Sequence, residues 1–309
     1  MHTPSVSRSS IGLRQTPPVC SQRYMWSTSH HQAGDAHPTR PASARSWAGE
    51  GLARIIPSFY APGGTILPVR VTVLELAARW GDPTAALADL GARLAAGPET
   101  DLVLLPEASL TGYLSPRGDG DVGRFAEPLE GPTARALSGL AVRHRLHLVG
   151  PLIERAGNRV YNTMIGFRPD GARFLHYRKR HPWYPETWAA PGEAPHPVVR
   201  AGALALSCAI CFDVHFLADE APFALRAADA LLFPSAWVDD APGDARAPLL
   251  AALARAHGVA IVNANWGPGT PRVRGQGGSR IVDLRGVEIA RAEPCGRADA
   301  VLAPRAAQR

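Results

Sequence analysis

Ala203-Leu-Ala-Leu-Ser-Cys-Ala-Ile-Cys-Phe-Asp213 is the stretch on which the fold of this chain turns. Its first half is an unbroken apolar run of the length expected for a fully buried strand. The run leads to Cys211, and Phe212, Asp213, Val214 and His215 follow. In α/β proteins, ligands gather at the carboxyl edge of such strands, and the pattern predicts the Cys211 thiol at that edge. A thiol by itself argues little, because free cysteine is among the most often buried residues and mostly packs.

Outward from this strand the elements alternate. Residues 69–76 alternate apolar and polar and are rich in β-branched side chains, which predicts a strand. Residues 82–94 predict a helix, with Asp82 as cap, Pro83 in the first turn and leucines at 87, 90 and 94. Residues 101–105 are a short apolar run ended by Pro106, hence a buried strand, and Glu107 stands directly after it. Residues 133–145 have helical spacing, and 146–149 read as a strand stopped by Gly150-Pro151. Residues 160–167 and 173–177 pair as a hairpin over Pro169-Asp-Gly171, and Lys179 lies just beyond. A Pro-rich loop, 182–197, precedes the Cys211 strand. Then come a helix over 218–228, a strand over 230–233 closed by Pro234, a helix over 245–257 and strands over 259–264 and 280–283. The expectation is an α/β domain over 67–304 with mixed sheets, each covered by helices on one side, and a short tail at 305–309.

Bulk composition narrows the class of function. The chain has 309 residues, enough to bury a core without staples. Its cysteines, Cys20, Cys208, Cys211 and Cys295, suggest no disulfide framework, which favours a reducing compartment and a cytoplasmic location. No apolar run is long enough to span a bilayer, and the first residues lack the apolar middle of a secretory signal. The net charge is +6, but residues 1–66 hold six Arg against Asp35 and Glu50 and so account for +4 of it. The remainder is nearly neutral and has no basic stripe, which argues against a nucleic-acid partner. Residues 1–66 are rich in Ser, Pro, His and Arg without apolar period and read as a disordered extension. A transit segment or a mis-assigned start are the alternatives.

Lys179 is the only lysine among 33 basic residues. An ammonium is a compact point charge whose pKa can move, whereas a guanidinium is planar and stays charged. The exception points to a position that needs an ammonium.

Three strand-end residues therefore align: Glu107, Lys179 and Cys211. With Leu105-Pro-Glu-Ala-Ser-Leu-Thr-Gly-Tyr113, His176-Tyr-Arg-Lys-Arg-His181 and Ile210-Cys-Phe-Asp213 around them, the sequence resembles the nitrilase superfamily of carbon–nitrogen hydrolases. Tyr161-Asn-Thr163, Pro191-Gly-Glu193, Pro234-Ser-Ala-Trp237 and Gly278-Ser279 add to the likeness, in the family's order, over about 68–303. The resemblance implies an αββα sandwich that stacks into a homodimer or larger assembly. It implies a Glu-Lys-Cys triad with Cys211 as nucleophile, Glu107 as general base and Lys179 holding the oxyanion with the backbone N–H of Phe212. It also implies a second glutamate near the lysine, either Glu186 or its competitor Glu193. Tyr113, Trp183, His215 and Trp237 are candidates for the substrate pocket, with Phe212. No cofactor or metal is implied, because carboxylate, ammonium and thiol supply base, oxyanion partner and nucleophile. The substrate expected is a small amide, since Cys-Phe-Asp resembles the amidase branches. N-carbamoyl amides and nitriles are the alternatives within the family. A remote reading takes Cys208-Ala-Ile-Cys211 as a redox or metal C-x-x-C. Against it, residues i and i+3 of a strand face opposite ways.

Overall fold

The computed structural model describes residues 67–305. The expectations for residues 1–66, and for the tail beyond 305, lie outside the described residues. Strand β1 (Val69–Leu74), helix α1 (Pro83–Ala96) and strand β2 (Leu102–Leu104) come first. Helix α2 (Pro132–His144) leads into β3 (His147–Ala156), β4 (Arg159–Phe167) and β5 (Arg173–Arg178). The hairpin of β6 (Val199–Ala201) and β7 (Leu204–Cys208) follows, then the short helices α3 (Leu217–Glu220) and α4 (Pro222–Ala227). Strand β8 (Ala230–Ser235), helix α5 (Arg246–His257) and β9 (Ala260–Asn265) come next, and β10 (Arg280–Val282), β11 (Glu288–Arg291) and β12 (Arg297–Leu302) end the order.

The strands form two six-stranded sheets, in the orders β12-β1-β2-β3-β4-β5 and β11-β10-β9-β8-β7-β6. Side chains alternate faces along a strand, and this sorts the apolar residues into layers. Val71, Val73, Leu102 and Leu104 meet Leu204, Leu206, Leu232 and Val262 in a core shared by the two sheets. The neighbours Val103, Leu105 and Leu148 point the other way, onto Leu90 and Leu94 of α1 and Leu137 and Leu140 of α2. Likewise Leu231, Phe233 and Ile261 turn from the shared core onto Leu225 of α4 and Leu250 of α5. The layers are thus helix, sheet, sheet, helix, as expected. Helix α1 begins as its sequence predicts, with Pro83 in the first turn and the Asp82 carboxylate accepting from the Ala85 N–H at 2.9 Å.

Two prolines do not stop their strands, contrary to the sequence reading. Strand β3 runs through Pro151 to Ala156, and β8 runs through Pro234 to Ser235. The reason is the same in both. Successive residues of a strand aim their backbone polar groups at opposite neighbours. Val149 and Ile153 turn their carbonyls to Leu105 and Glu127, so Pro151 between them faces the β2 side, where β2 has already ended. Leu232 faces β7 through Ala209, so Pro234 also faces the β7 side, beyond that strand's last residue. The N–H that proline lacks is one that no ladder requires.

Three other boundaries move. The helix expected over 218–228 is broken in two, because Pro222 has no N–H to continue α3 and instead starts α4. The Cys211 strand ends at Cys208, and a tight helical turn begins at Cys211. Strands β6, β11 and β12 are absent from the sequence reading, since β6 has three residues, β11 is mostly exposed, and β12 mixes buried and exposed positions without regular alternation. Strand β12 returns across the chain to pair antiparallel with the whole of β1.

A buried carboxylate fastens the hairpin of β4 and β5 to β3. Glu154 of β3 accepts from Thr163 at 2.9 Å, from the His176 ring at 2.8 Å and from Arg178 at 3.0 Å. Burial alone pushes its carboxyl up, but His176 and Arg178 more than offset this and hold it at about 2. A depressed carboxyl adds stability above its unfolded value of 4.5, and that stability is lost as pH falls from 4.5 towards 2. Glu154→Gln is expected to remove about 3 kcal/mol at neutral pH. It should also flatten the acid limb of a denaturation profile between pH 5 and 2. An unchanged acid limb would rule out this ion pair as its source.

Candidate active site

The chemical groups converge where the carboxyl ends of strands from both sheets meet. Glu107 follows β2, Lys179 follows β5, Cys211 follows β7 and Ala236 follows β8. Each is released where strand pairing stops, so its side chain is held by a rigid element without being part of the sheet. The Lys179 backbone stays anchored: its N–H donates to Asn162 at 2.8 Å, and its carbonyl accepts from Gly192 at 2.7 Å. A side chain at Gly192 would put Cβ 2.3 Å from the Arg178 carbonyl oxygen, so glycine is what lets this loop close over the lysine.

Lys179 Nζ lies 2.8 Å from Glu107 Oε1 and 2.5 Å from Glu186 Oε1. All three side chains are buried. Each carboxylate accepts two further hydrogen bonds. Glu107 Oε1 also accepts from Asn162 Nδ2 at 2.7 Å, and its Oε2 accepts from the Ala236 N–H, across the two sheets, at 2.7 Å. Glu186 accepts from the Tyr113 hydroxyl at 2.7 Å and from Asn162 at 3.4 Å. Burial disfavours the Lys179 ammonium, but the charges of Glu107 and Glu186 outweigh burial and hold it protonated, above its ordinary pKa. Glu186 is pushed up, by burial first and by Glu107, with Lys179 pulling the other way. Burying three charged groups is expensive unless geometry and hydrogen bonds compensate, and here each charged group meets an opposite charge and further hydrogen bonds.

Cys211 sits at a sharp bend. Its φ is +45°, in the left-handed region that non-glycine residues rarely adopt, and Ala108 beside Glu107 has φ +49°. Strain of this kind persists only where the surroundings enforce it. Asp213 does the enforcing. It accepts from the Ile210 N–H at 3.0 Å, the His181 N–H at 2.8 Å and the Tyr177 hydroxyl at 2.7 Å. Burial pushes the Cys211 thiol well up, Glu107 adds to this, and Lys179 with the Ala236 N–H pulls it back. At neutral pH the group is a thiol and needs a base to become a nucleophile. Asp213→Ala is expected to lower kcat about a hundredfold, the usual scale for a reacting atom displaced by about 1 Å. Alkylation of Cys211 in the folded variant checks it. Wild-type kcat in Asp213→Ala would mean that the bend holds without this carboxylate.

Beside Cys211 opens a cavity of about 570 Å³, lined by Trp183, Phe212, His215, Trp237 and the 238–245 loop. Four of the five residues expected at the pocket therefore line it. Tyr113 does not: it stands behind Glu186 as that carboxylate's hydrogen-bond donor. Of the two glutamates expected near the lysine, Glu186 is at hydrogen-bond distance. Glu193 is exposed and pairs with Arg159 at 3.0 Å. Asn162 and the Ala236 amide were not given roles by the sequence reading. Both lie inside quoted family motifs, but nothing in the sequence shows that they meet Glu107. Cys208 and Cys211 are both free, and no group of three or more His, Cys, Asp or Glu among the described residues is placed to hold a metal ion.

The family model for carbon-nitrogen hydrolases matches residues 69–297. The chain belongs to the carbon-nitrogen hydrolase family. Among curated relatives, a formamidase of Allorhizobium ampelinum is 33% identical over 154 residues, 48% of this chain and 43% of that protein. An omega-amidase NIT2 of Danio rerio is 29% identical over 160 residues, 46% of this chain and 54% of that one. The chain spans about half the length of the curated relatives it matches. The solved structure of an amidase from Nesterenkonia sp. superposes with a TM-score of 0.64 at 27% identity, covering 76% of this chain and 90% of that one. Saccharomyces cerevisiae Nit3, of the nitrilase superfamily, gives 0.66 at 25% identity, covering 77% and 90%. This carbon-nitrogen hydrolase therefore shares the nitrilase fold, and its relatives include amidases. No helix among its described residues is long and apolar enough to cross a membrane.

Proposed function

We propose that this carbon-nitrogen hydrolase cleaves small non-peptide amides through a thioester on Cys211. The observation that carries the proposal is the buried Glu107–Lys179–Glu186 network, whose charges are felt by a strained cysteine that lines a cavity. A glutamate-to-glutamine mutant of an amidase from Nesterenkonia sp. carries the acetamide moiety of fluoroacetamide covalently added at its active site cysteine, which supports a nucleophilic cysteine by analogy.

In the first half-reaction, Glu107 takes the thiol proton as Cys211 Sγ bonds to the amide carbon. The carbonyl π electrons move onto oxygen, and the resulting oxyanion is held by Lys179 Nζ and the Phe212 N–H. Lysine suits this place because the charge is on one atom, not on a planar carboxylate. The C–N bond then breaks, and the departing nitrogen takes the proton from Glu107 and leaves as ammonia or an amine. In the second half-reaction, water attacks the thioester carbon and Glu107 accepts a water proton. The second intermediate expels the sulfur, which recovers its proton from Glu107, and the carboxylic acid departs. Glu186 neither gives nor takes a proton in this scheme. It balances Lys179 and, with Tyr113 and Asn162, fixes where the ammonium points.

Intact mass during turnover tests the proposal. With simple aliphatic amides, a fraction of the protein should gain the mass of the acyl group, mapped to Cys211, while ammonia accumulates. Ammonia without an adduct on any residue, or an adduct mapped elsewhere, would overturn the thioester.

A further inference from the structure

We propose that the cavity beside Cys211 selects amides carrying a positive charge, an aliphatic ammonium or guanidinium, and that Asp239 is the residue that reads it. This rests on the amidase reading and narrows its substrate. The lining of the cavity includes three carboxylates, Asp239, Asp240 and Asp244, and no lysine or arginine. Asp244 is neutralised from outside by Arg280 and Arg291. Asp239 and Asp240 form no ion pair with any described residue.

Asp239 is the more telling of the two, because it is only 8% exposed. Its Oδ1 accepts from the Trp237 indole N–H at 2.9 Å, which fixes the carboxylate against the cavity wall. Its Oδ2 accepts no hydrogen bond among the described residues. That oxygen is free on a side chain that lines the cavity, where a cation could pair with it. Arg246 feels the Asp239 charge without forming an ion pair with it, and Arg274 donates through Nη1 to the Asp240 carbonyl at 2.9 Å. Arg246 does not line the cavity, and its Nη2 donates to the carbonyls of Gly277 and Gly278 at 2.7 and 3.2 Å.

The walls suit the same ligand. Trp183, Phe212 and Trp237 offer aromatic surface to a cation. Burial holds the His215 imidazole below its ordinary pKa, so it is neutral at pH 7 and does not oppose a positive ligand. An anionic amide would meet Asp239 and Asp240, with no lysine or arginine among the lining residues.

Turnover of four amides decides it: δ-aminovaleramide, with the cation on the acyl side; mono-N-acetylated diaminobutane, with the cation on the leaving amine; valeramide, neutral; and glutaric acid monoamide, anionic. At low salt, kcat/KM for one of the cationic amides should exceed that for valeramide about tenfold or more, a difference of about 1.4 kcal/mol. The anionic amide should be poorest. The excess should shrink as salt rises and collapse towards unity in Asp239→Asn. In the wild type, butylammonium should protect Cys211 from iodoacetamide better than butanol or butyrate does, a readout that needs no variant to fold. Preference for the neutral or anionic amide, or equal protection by butyrate, would overturn the charge selection and leave the amidase reading standing. Absence of turnover of all four, with no adduct on Cys211, would overturn both.

Discussion

Replacing Cys211 with alanine is expected to lower amide turnover by roughly four orders of magnitude or more, the scale seen when a covalent nucleophile is deleted. Nothing else in the site can take its place. Glu107, tied to Lys179, Asn162 and the Ala236 amide, is held in place as a base and not presented as a second nucleophile, and Cys208 lies in the core between the sheets. Water reaching the substrate would have to attack directly, against an amide that the thiol was positioned to activate. The variant should fold, because the side chain is small and alanine loses one sulfur from the cavity wall. Its left-handed φ persists in either residue, so the strain is not relieved by the change. Ammonia release in a coupled assay, beside circular dichroism, checks both halves. Turnover within tenfold of wild type would remove Cys211 from the chemistry.

Lys179→Met should show the largest combined effect. Loss of an oxyanion donor costs roughly a hundred- to a thousandfold in kcat. The structural consequence is as severe. Glu107 and Glu186 would lose the ammonium that both contact and, buried and of like charge, would keep only neutral donors: Asn162 for both, the Ala236 amide for Glu107 and the Tyr113 hydroxyl for Glu186. Breaking a buried pair by removing one partner destabilises by about 3–5 kcal/mol. The pH dependence has a definite sign. Glu186 already sits above its ordinary 4.5 through burial, with Lys179 restraining it. A raised carboxyl favours the folded state below its unfolded value and works against folding as pH rises. Without Lys179 the rise is larger, so the deficit of Lys179→Met should grow as pH climbs above 4.5. Adding Glu186→Gln should restore much of the stability and little of the turnover. Thermal unfolding across pH, with kcat on the folded fraction, separates the two effects. Wild-type stability and turnover in Lys179→Met would contradict the network's role.

Much of this molecule follows from the sequence by itself. The apolar runs before Pro106 and Cys211 place strands where β2 and β7 lie, and residues released at strand ends gather at one edge of a sheet. A lone lysine in an arginine-rich chain marks the position that needs an ammonium. Periodicity is local, and it is legible wherever a side chain's partner is its own layer.

What the sequence could not decide is what comes from elsewhere in the chain. Pro151 and Pro234 read as stops because proline lacks an N–H, yet each strand continues, since its neighbour on that side has ended. Glu186 and Glu193 share one loop, and the closure of Gly192 onto Lys179 leaves the first beside the ammonium and the second in solvent. Asn162 and the Ala236 amide reach Glu107 across 55 and 129 residues of chain. The isolated Asp239 carboxylate owes its exposure to the cavity to the path of the 238–245 loop. These are contacts between segments far apart in the chain, set by which strands lie side by side and, for Ala236, by how the two sheets meet, and such distant pairing leaves no period in the sequence.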